Sequence, residues 1–346
     1  SAVITNDIMV TVCGAAVTWL LLKVVARDRP SLLHTAALGL ATALALLAKN
    51  NALGLVPPVL VVVGLTILRS QSAHRKRLVL SLVGAAAVCT LAIGWWYARN
   101  INSGVGALGR YRSFSILLAT VRRGLLADPS RWSTLLPAFA TAIPTLWASF
   151  GWGNISLPEW VSWSAFGWGT LAMLALIAWV LRRRAHRGRV GVLLLVIVSV
   201  SAISVTHIVS LGARIVPGRY LLPALPALCI LLAKGWSELF RGRGRLLAWA
   251  ASGGALLVLS ALVPALCIAP AYSLPPRLPE AQLAEYTPLH CTFGSFVELV
   301  GYRIQNPFVA SRDEIHISLA WRVLGRADAD YSLAVQVFDG ERELIG

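Results

Sequence analysis

Acidic residues are so scarce in this chain, fifteen in 346, that any carboxylate beside an apolar run invites a chemical reading. Asp7 follows Asn6 at the mouth of the first such run, and Glu159 stands beside Trp160 just ahead of the fifth. Against them stand cations at the ends of other runs: Lys49, Arg99 followed by Asn100, and Arg219 followed by Tyr220. A carboxylate that takes a proton from an acceptor, set near cations that neutralise a departing phosphate, is what group transfer from a phosphate ester requires. Arginine suits the phosphate because its planar fork donates two parallel hydrogen bonds. Arg219 is the best placed of these cations, since Pro217, Gly218 and Pro223 fix a tight turn around it and Tyr220 sits at headgroup depth. Each residue also has an ordinary role. Asp7 caps a helix or serves as a pocket carboxylate or metal ligand; Glu159 touches an acceptor or lies exposed; Arg99 holds a phosphate or snorkels to anchor its helix. Asp128 reads as a cap, Arg110, Arg112 and Arg214 as further outer cations, and His207 as an intramembrane group of the kind that is often functional.

The elements that must position these residues are membrane spans. The chain is 57% hydrophobic and 13% charged, with a mean hydropathy of +0.71, whereas soluble domains average roughly 25% charged residues. Eight apolar runs reach spanning length: about 8–26, 31–48, 51–68, 78–97, 163–181, 190–212, 217–236 and 246–268. Alternate connections carry Lys23, Arg27 and Arg29; Arg69, Arg75, Lys76 and Arg77; Arg182, Arg183, Arg184, Arg187 and Arg189; and Lys234, Arg241, Arg243 and Arg245. The short connections between them carry only Lys49, Arg214 and Arg219. By the positive-inside rule, Asp7, Lys49, the 98–162 loop, the turn before Arg219 and everything after 269 face away from the cytoplasm of a cell membrane. The same rule accounts for the net charge of +16 without nucleic acid. Five cysteines show no paired spacing and read as small buried hydrophobes.

Pro57 and Pro58 in the third run, and Pro223 and Pro226 in the seventh, predict breaks or packing kinks in those helices. In the long outer loop, Leu117, Leu118, Val121, Leu125 and Leu126 fall on one face of an interfacial helix, and residues 149–160 mix aromatics with turn formers, as in a lid or an aromatic girdle. Beyond the eighth run the period changes from 3.6 to 2. Ile315, Ile317, Leu319, Trp321 and Val323 alternate with polar or small residues, as do Tyr331, Leu333, Val335 and Val337 before a turn at Asp339 and Gly340. The reading is therefore a polytopic α-helical membrane protein of about eight spans over 1–269, a linker at 270–288, and part of an outward β-sandwich over 289–346. With no basic leader ahead of residue 1 and a hairpin cut short at the end, the chain is expected to be a piece lacking both ends.

Taken in order, Asn6 and Asp7, Ala48 to Asn50, Gly94 to Asn100, Ser149 to Trp152 with Leu157 and Pro158, and Gly218 to Pro223 resemble the bacterial membrane glycosyltransferases of the C-type fold. Within that fold the chain is similar to family 39, the protein O-mannosyltransferase and aminoarabinose transferase relatives. Phe296 to Tyr302 and Ile317 to Trp321 look like the β-domain appended to many of them. The resemblance implies inverting transfer of a sugar from a polyprenyl phosphate carrier to a glycan, lipid or protein acceptor outside the cytoplasm, often with a divalent metal. It also implies a principal catalytic Asp in the first outward loop. Nothing here matches that residue, so this piece is expected to hold the lipid-phosphate wall without the main base, and to be inactive alone. The alternative is a non-catalytic protein or transporter handling envelope polysaccharide or lipid-linked saccharide.

Overall fold

A computed structural model describes residues 6–26, 31–70, 72–103, 145–146, 149–150, 155–183, 186–211, 218–240, 242–273, 277–305 and 315–327, the side chains of 32, 72–74, 149–150, 156 and 204–211 excepted. The chain divides into two units, Ser1–Tyr272 and Ser273–Gly346.

In the first unit all eight apolar runs are helical. They are α1 (Asp7–Val25), α2 (Leu32–Ala48), α3 (Val56–Arg69), α4 (Ser72–Asn102), α5 (Glu159–Arg182), α6 (Arg187–Leu211), α7 (Leu225–Leu239) and α8 (Arg243–Val263). Among the described residues, six stretches are long and apolar enough to cross a membrane: Asp7–Val25, Asn50–Arg69, Arg75–Asn102, Glu159–Arg182, Gly218–Leu239 and Arg243–Ala271. The apolar stretch Leu33–Ala48 is shorter, and α6 supplies a further 25-residue helix. The helix ends follow local chemistry. Asp7 lies in the first turn of α1 and Lys23 in its last, each matched to the sign of the helix dipole there. The Ser31 hydroxyl accepts from the His34 N–H to cap α2. α4 continues one turn past the aromatic group Trp95 to Tyr97, so Arg99 and Asn100 are still helical rather than the start of the polar loop.

Pro57, Pro58, Pro223 and Pro226 mark breaks in regular helix: two of the spans open with a turn of 3₁₀-helix, Asn50–Leu55 ahead of α3 and Gly218–Ala224 ahead of α7. Pro57 and Pro58 then occupy the first turn of α3 and Pro226 the first turn of α7, where the missing N–H would have no helical partner in any case. Pro223 lies within the second 3₁₀ segment.

α1 is the centre of the unit: 44% of its apolar window is buried, against 6% for the stretch Arg243–Ala271. Val10, Val17, Leu21 and Val24 of α1 pack in one cluster with Leu38 of α2, Leu55, Val196 and Val200 of α6, and Leu231 of α7. Lipid tails are as apolar as leucine, so this packing is driven by close van der Waals fit rather than by escape from water. Two glycines set that fit near the site. A Cβ on Gly14 would lie 2.4 Å from the Pro223 carbonyl oxygen, and one on Gly54 would lie 2.5 Å from Val200 Cα. The two 3₁₀ segments therefore press against α1 and α6, and they also touch each other.

Ahead of α5, β1 (Ser149–Phe150) pairs antiparallel with β2 (Ile155–Ser156), and Pro158 precedes the first residue of α5.

The second unit holds a three-stranded antiparallel sheet of β3 (Thr287–Phe293), β4 (Val297–Ile304) and β5 (Ile317–Val323), in the order β3-β4-β5. β5 falls where the alternation predicts it, and β4 covers most of the Phe296 to Tyr302 stretch likened to the appended β-domain. β3 begins inside the stretch read as linker; its register slips between Pro288 and Cys291, where His290 takes a left-handed φ of 51°. Residues 331–340 lie outside the described set, as do 104–144, with the interfacial helix, Arg110, Arg112 and Asp128. So do Arg214 and the His207 side chain.

Candidate functional site

At one end of the helical unit the first turn of α1, the last residue of α2 and the two 3₁₀ segments converge. Lys49 is the hinge of this arrangement. It ends α2 with an extended backbone, φ −164° and ψ 139°, so the chain leaves the helix and turns directly into Asn50–Leu55. That turn carries the ammonium to the Asp7 carboxylate, 42 residues away in sequence, and the two form an ion pair. The side chains are 18% and 21% exposed, which makes the pair largely shielded but not sealed. The Asn6 carboxamide donates to the Ala48 carbonyl beside it, tying the same two helix ends a second time.

The second 3₁₀ segment closes the other side. Lys49 Nζ sits over the Tyr220 ring, 5.7 Å from its centroid, a cation–π contact at the range where the ring quadrupole attracts. The Asn51 carboxamide donates to the Tyr220 carbonyl at 2.8 Å. The segment is anchored at its start, where the Gly218 N–H donates to the Thr145 hydroxyl at 2.8 Å. Arg219 lies half-buried between these two anchor points.

The structure thus brings together three residues singled out from sequence, Asp7, Lys49 and Tyr220, with Arg219 adjacent in the chain. It does not bring in the others. Glu159 is exposed in the first turn of α5, where its charge suits the helix dipole. Arg99 is exposed and Asn100 half-buried near the end of α4, and among the described residues neither side chain has a hydrogen bond or ion pair to the cluster. Asn51 was missed by sequence reasoning. It is 7% exposed, and its carboxamide oxygen is buried with no hydrogen-bond partner; the hint in the sequence is an Asn doublet closing an apolar run.

Every residue of this cluster falls in the region that a family match covers. The chain belongs to the DUF2142 family. The family is described as a predicted membrane protein, and it matches residues 1–228, ending in the first turn of α7. No curated protein and no solved structure matches the chain. The DUF2142 region is accordingly the helical unit through the first turn of α7, and the sheet lies beyond it in the chain.

A divalent metal does not fit this DUF2142 site. Among the described residues no three His, Cys, Asp or Glu side chains converge, and Asp7 already has a lysine ammonium where a cation would bind. Both partners keep some exposure, so an anion that competed for the Lys49 ammonium would leave the Asp7 carboxylate as a proton acceptor.

Proposed function

We propose that this chain is the membrane part of a glycosyltransferase that moves one sugar, with inversion, from a polyprenyl phosphate carrier to an acceptor at the extracytoplasmic mouth of the bundle. The observation that carries the reading is the Lys49–Asp7 pair lying over Tyr220 where three chain segments meet. In this scheme Lys49 and Arg219 hold the donor phosphate, and the Tyr220 ring lines the headgroup level. Phosphate binding draws Lys49 away from Asp7. Asp7, serving where the resemblance expected a base from an earlier outward loop, then takes the proton of the acceptor hydroxyl as its oxygen bonds to the anomeric carbon, and the carbon–oxygen bond to phosphate breaks, leaving its electron pair on the lipid phosphate. The localisation is part of this proposal and is supported by the charge bias of the loops, under which this mouth and the sheet face away from the cytoplasm of the cell membrane.

A transporter would need polar or charged groups along a path through the spans. Among the described residues, the buried polar side chains are Thr18, Thr35, Thr42, Asn51 and Ser81, with no charged one, which supports a surface reaction. The test uses the full-length protein in nanodiscs with a labelled polyprenyl phosphate sugar, following donor consumption in wild type and Arg219→Ala. Loss of one charged phosphate contact is expected to slow turnover by about 10²-fold. Absence of turnover in wild type across a panel of hexose, pentose and amino-sugar donors would sink the transferase reading.

A further inference from the structure

Asn51 is tied into the mouth through only half of its carboxamide. The NH₂ donates to the Tyr220 carbonyl at 2.8 Å, which fixes the orientation of the group, because turning it over would set two carbonyl oxygens against each other. The oxygen is left buried without a partner, although the residue as a whole is 7% exposed. Buried acceptors are nearly always satisfied, and leaving one bare is unfavourable. Of the three such side-chain atoms among the described residues, Thr18 Oγ1, Asn51 Oδ1 and Arg303 Nε, only that of Asn51 belongs to a residue bonded to the Lys49–Tyr220 cluster.

We infer that Asn51 is a specificity-determining residue of this mouth: its carboxamide oxygen accepts a hydrogen bond from a hydroxyl of the headgroup whose phosphate Lys49 holds. The ligand class is then a phosphate lipid carrying a polyhydroxylated head, and a bare lipid phosphate is discriminated against. The inference rests on the phosphate-lipid reading above and adds what the head must present. Asn51 lies two residues from Lys49 and bonds the residue whose ring underlies that ammonium. Lys49 caps the 3₁₀ turn that contains Asn51, so drawing Lys49 off Asp7 loosens the turn that carries Oδ1, and the acceptor becomes reachable as the phosphate arrives.

Charge gives the discrimination its diagnostic value. A bare polyprenyl phosphate is a monoester and carries up to two negative charges, whereas the sugar-bearing diester carries one, so Lys49 and Arg219 alone favour the bare lipid. A preference for the sugar-bearing lipid must come from uncharged contacts.

The experiment measures equilibrium binding to the full-length protein in nanodiscs of two probes with the same short polyprenyl chain, one ending in phosphate and one in phosphate bearing a hexose. Wild type is expected to bind the hexose form at least about tenfold more tightly, the scale of one buried hydrogen bond. In Asn51→Leu that preference is expected to fall to within about twofold, while the affinity for the bare phosphate stays within about threefold of wild type. Equal binding of the two probes by wild type would overturn the Asn51 assignment and leave the phosphate reading standing; this comparison needs no variant to fold. Retention of the preference in Asn51→Leu would also overturn the assignment, pointing to a buried water as the partner of Oδ1. Binding of neither probe would overturn both readings.

Discussion

Two clusters of charge in this chain are built by different means. At the mouth of the helical unit, Asp7 and Lys49 meet because α1 begins where α2 ends and because Lys49 breaks the helix with an extended backbone. In the sheet, Glu298 of β4 is held from both sides: His290 Nδ1 lies at 2.9 Å and Arg322 Nη1 at 3.0 Å, and the strand register sets Glu298 directly opposite Arg322. In the sheet cluster the backbone ladder fixes Glu298 against Arg322, with His290 brought in by the bulge of β3, whereas the mouth cluster depends on how separate elements pack. A site that must exchange one partner for another benefits from the second design. Lys49 and Asp7 can part without undoing a helix; separating Glu298 from its partners gains nothing for the strands.

That contrast is sharpest at the contact on which the mouth depends. Gly14→Val places branched carbon where even a Cβ would be 2.4 Å from the Pro223 carbonyl, an atom of backbone that cannot swing aside. α1 and the 218–224 segment must move apart, and overpacking of this kind costs about 1–3 kcal/mol. Thermal unfolding in nanodiscs should show a drop of several degrees, together with loss of donor binding. If Gly14→Val unfolds like wild type, the 3₁₀ segment is not seated on α1 and the comparison fails at its first step.

Lys49→Met comes next. It leaves the Asp7 carboxylate without its ammonium in a setting only about one-fifth exposed. Removing one partner of a fully buried pair costs roughly 3–5 kcal/mol, and the residual exposure of this pair scales that down to about 1–2 kcal/mol. The double variant Lys49→Met with Asp7→Leu should recover most of the loss, because no charge is then stranded. A double variant as unstable as Lys49→Met alone would mean that the lysine acts through its packing on Tyr220 and not through Asp7.

Much of the fold is legible in the sequence, because some twenty consecutive apolar residues have few other ways to satisfy their backbone in lipid. All eight runs are helices, and the period-2 alternation from Ile315 to Val323 locates β5. The breaks are less legible: Pro57, Pro58, Pro223 and Pro226 announce discontinuity, but not that the residues ahead of them wind as 3₁₀ turns. Only the first two residues of β3 fall in the stretch read as linker, because a strand that has a proline at its start and carries a bulge shows no clean period. Within the site, Asp7, Lys49 and Tyr220 were legible one by one from charge scarcity and turn chemistry. Their convergence was not, since a pairing across 42 residues depends on which helix neighbours which. Glu159, Arg99 and Asn100 met the same local criteria and do not join the cluster. Asn51 carried neither charge nor motif, and only its burial distinguishes it.

The smallest expected effect lies in the sheet and probes the ladder side of the comparison. The hydrogen bond from His290 chiefly, and the charge of Arg322 after it, hold the Glu298 carboxyl below its ordinary value of 4.5, against the opposing pull of partial burial. A carboxyl whose folded value lies below its unfolded one stabilises the fold above the unfolded value, and that contribution disappears as pH falls through the folded one. Amide exchange over β3, β4 and β5, corrected for the intrinsic rate at each pH, should therefore show constant protection from pH 7 down to about 5. Protection should then decline below 4.5. In Arg322→Ala the decline should be shallower, since one of the two groups that favour the ionised form is gone, while the hydrogen bond from His290 remains. Because the backbone ladder holds these strands in register whatever the charge on Glu298, the change should be confined to partial loss of protection without unfolding of the sheet. Full exposure of β4 in acid would show that the charges hold the strands together, erasing the distinction between the two clusters.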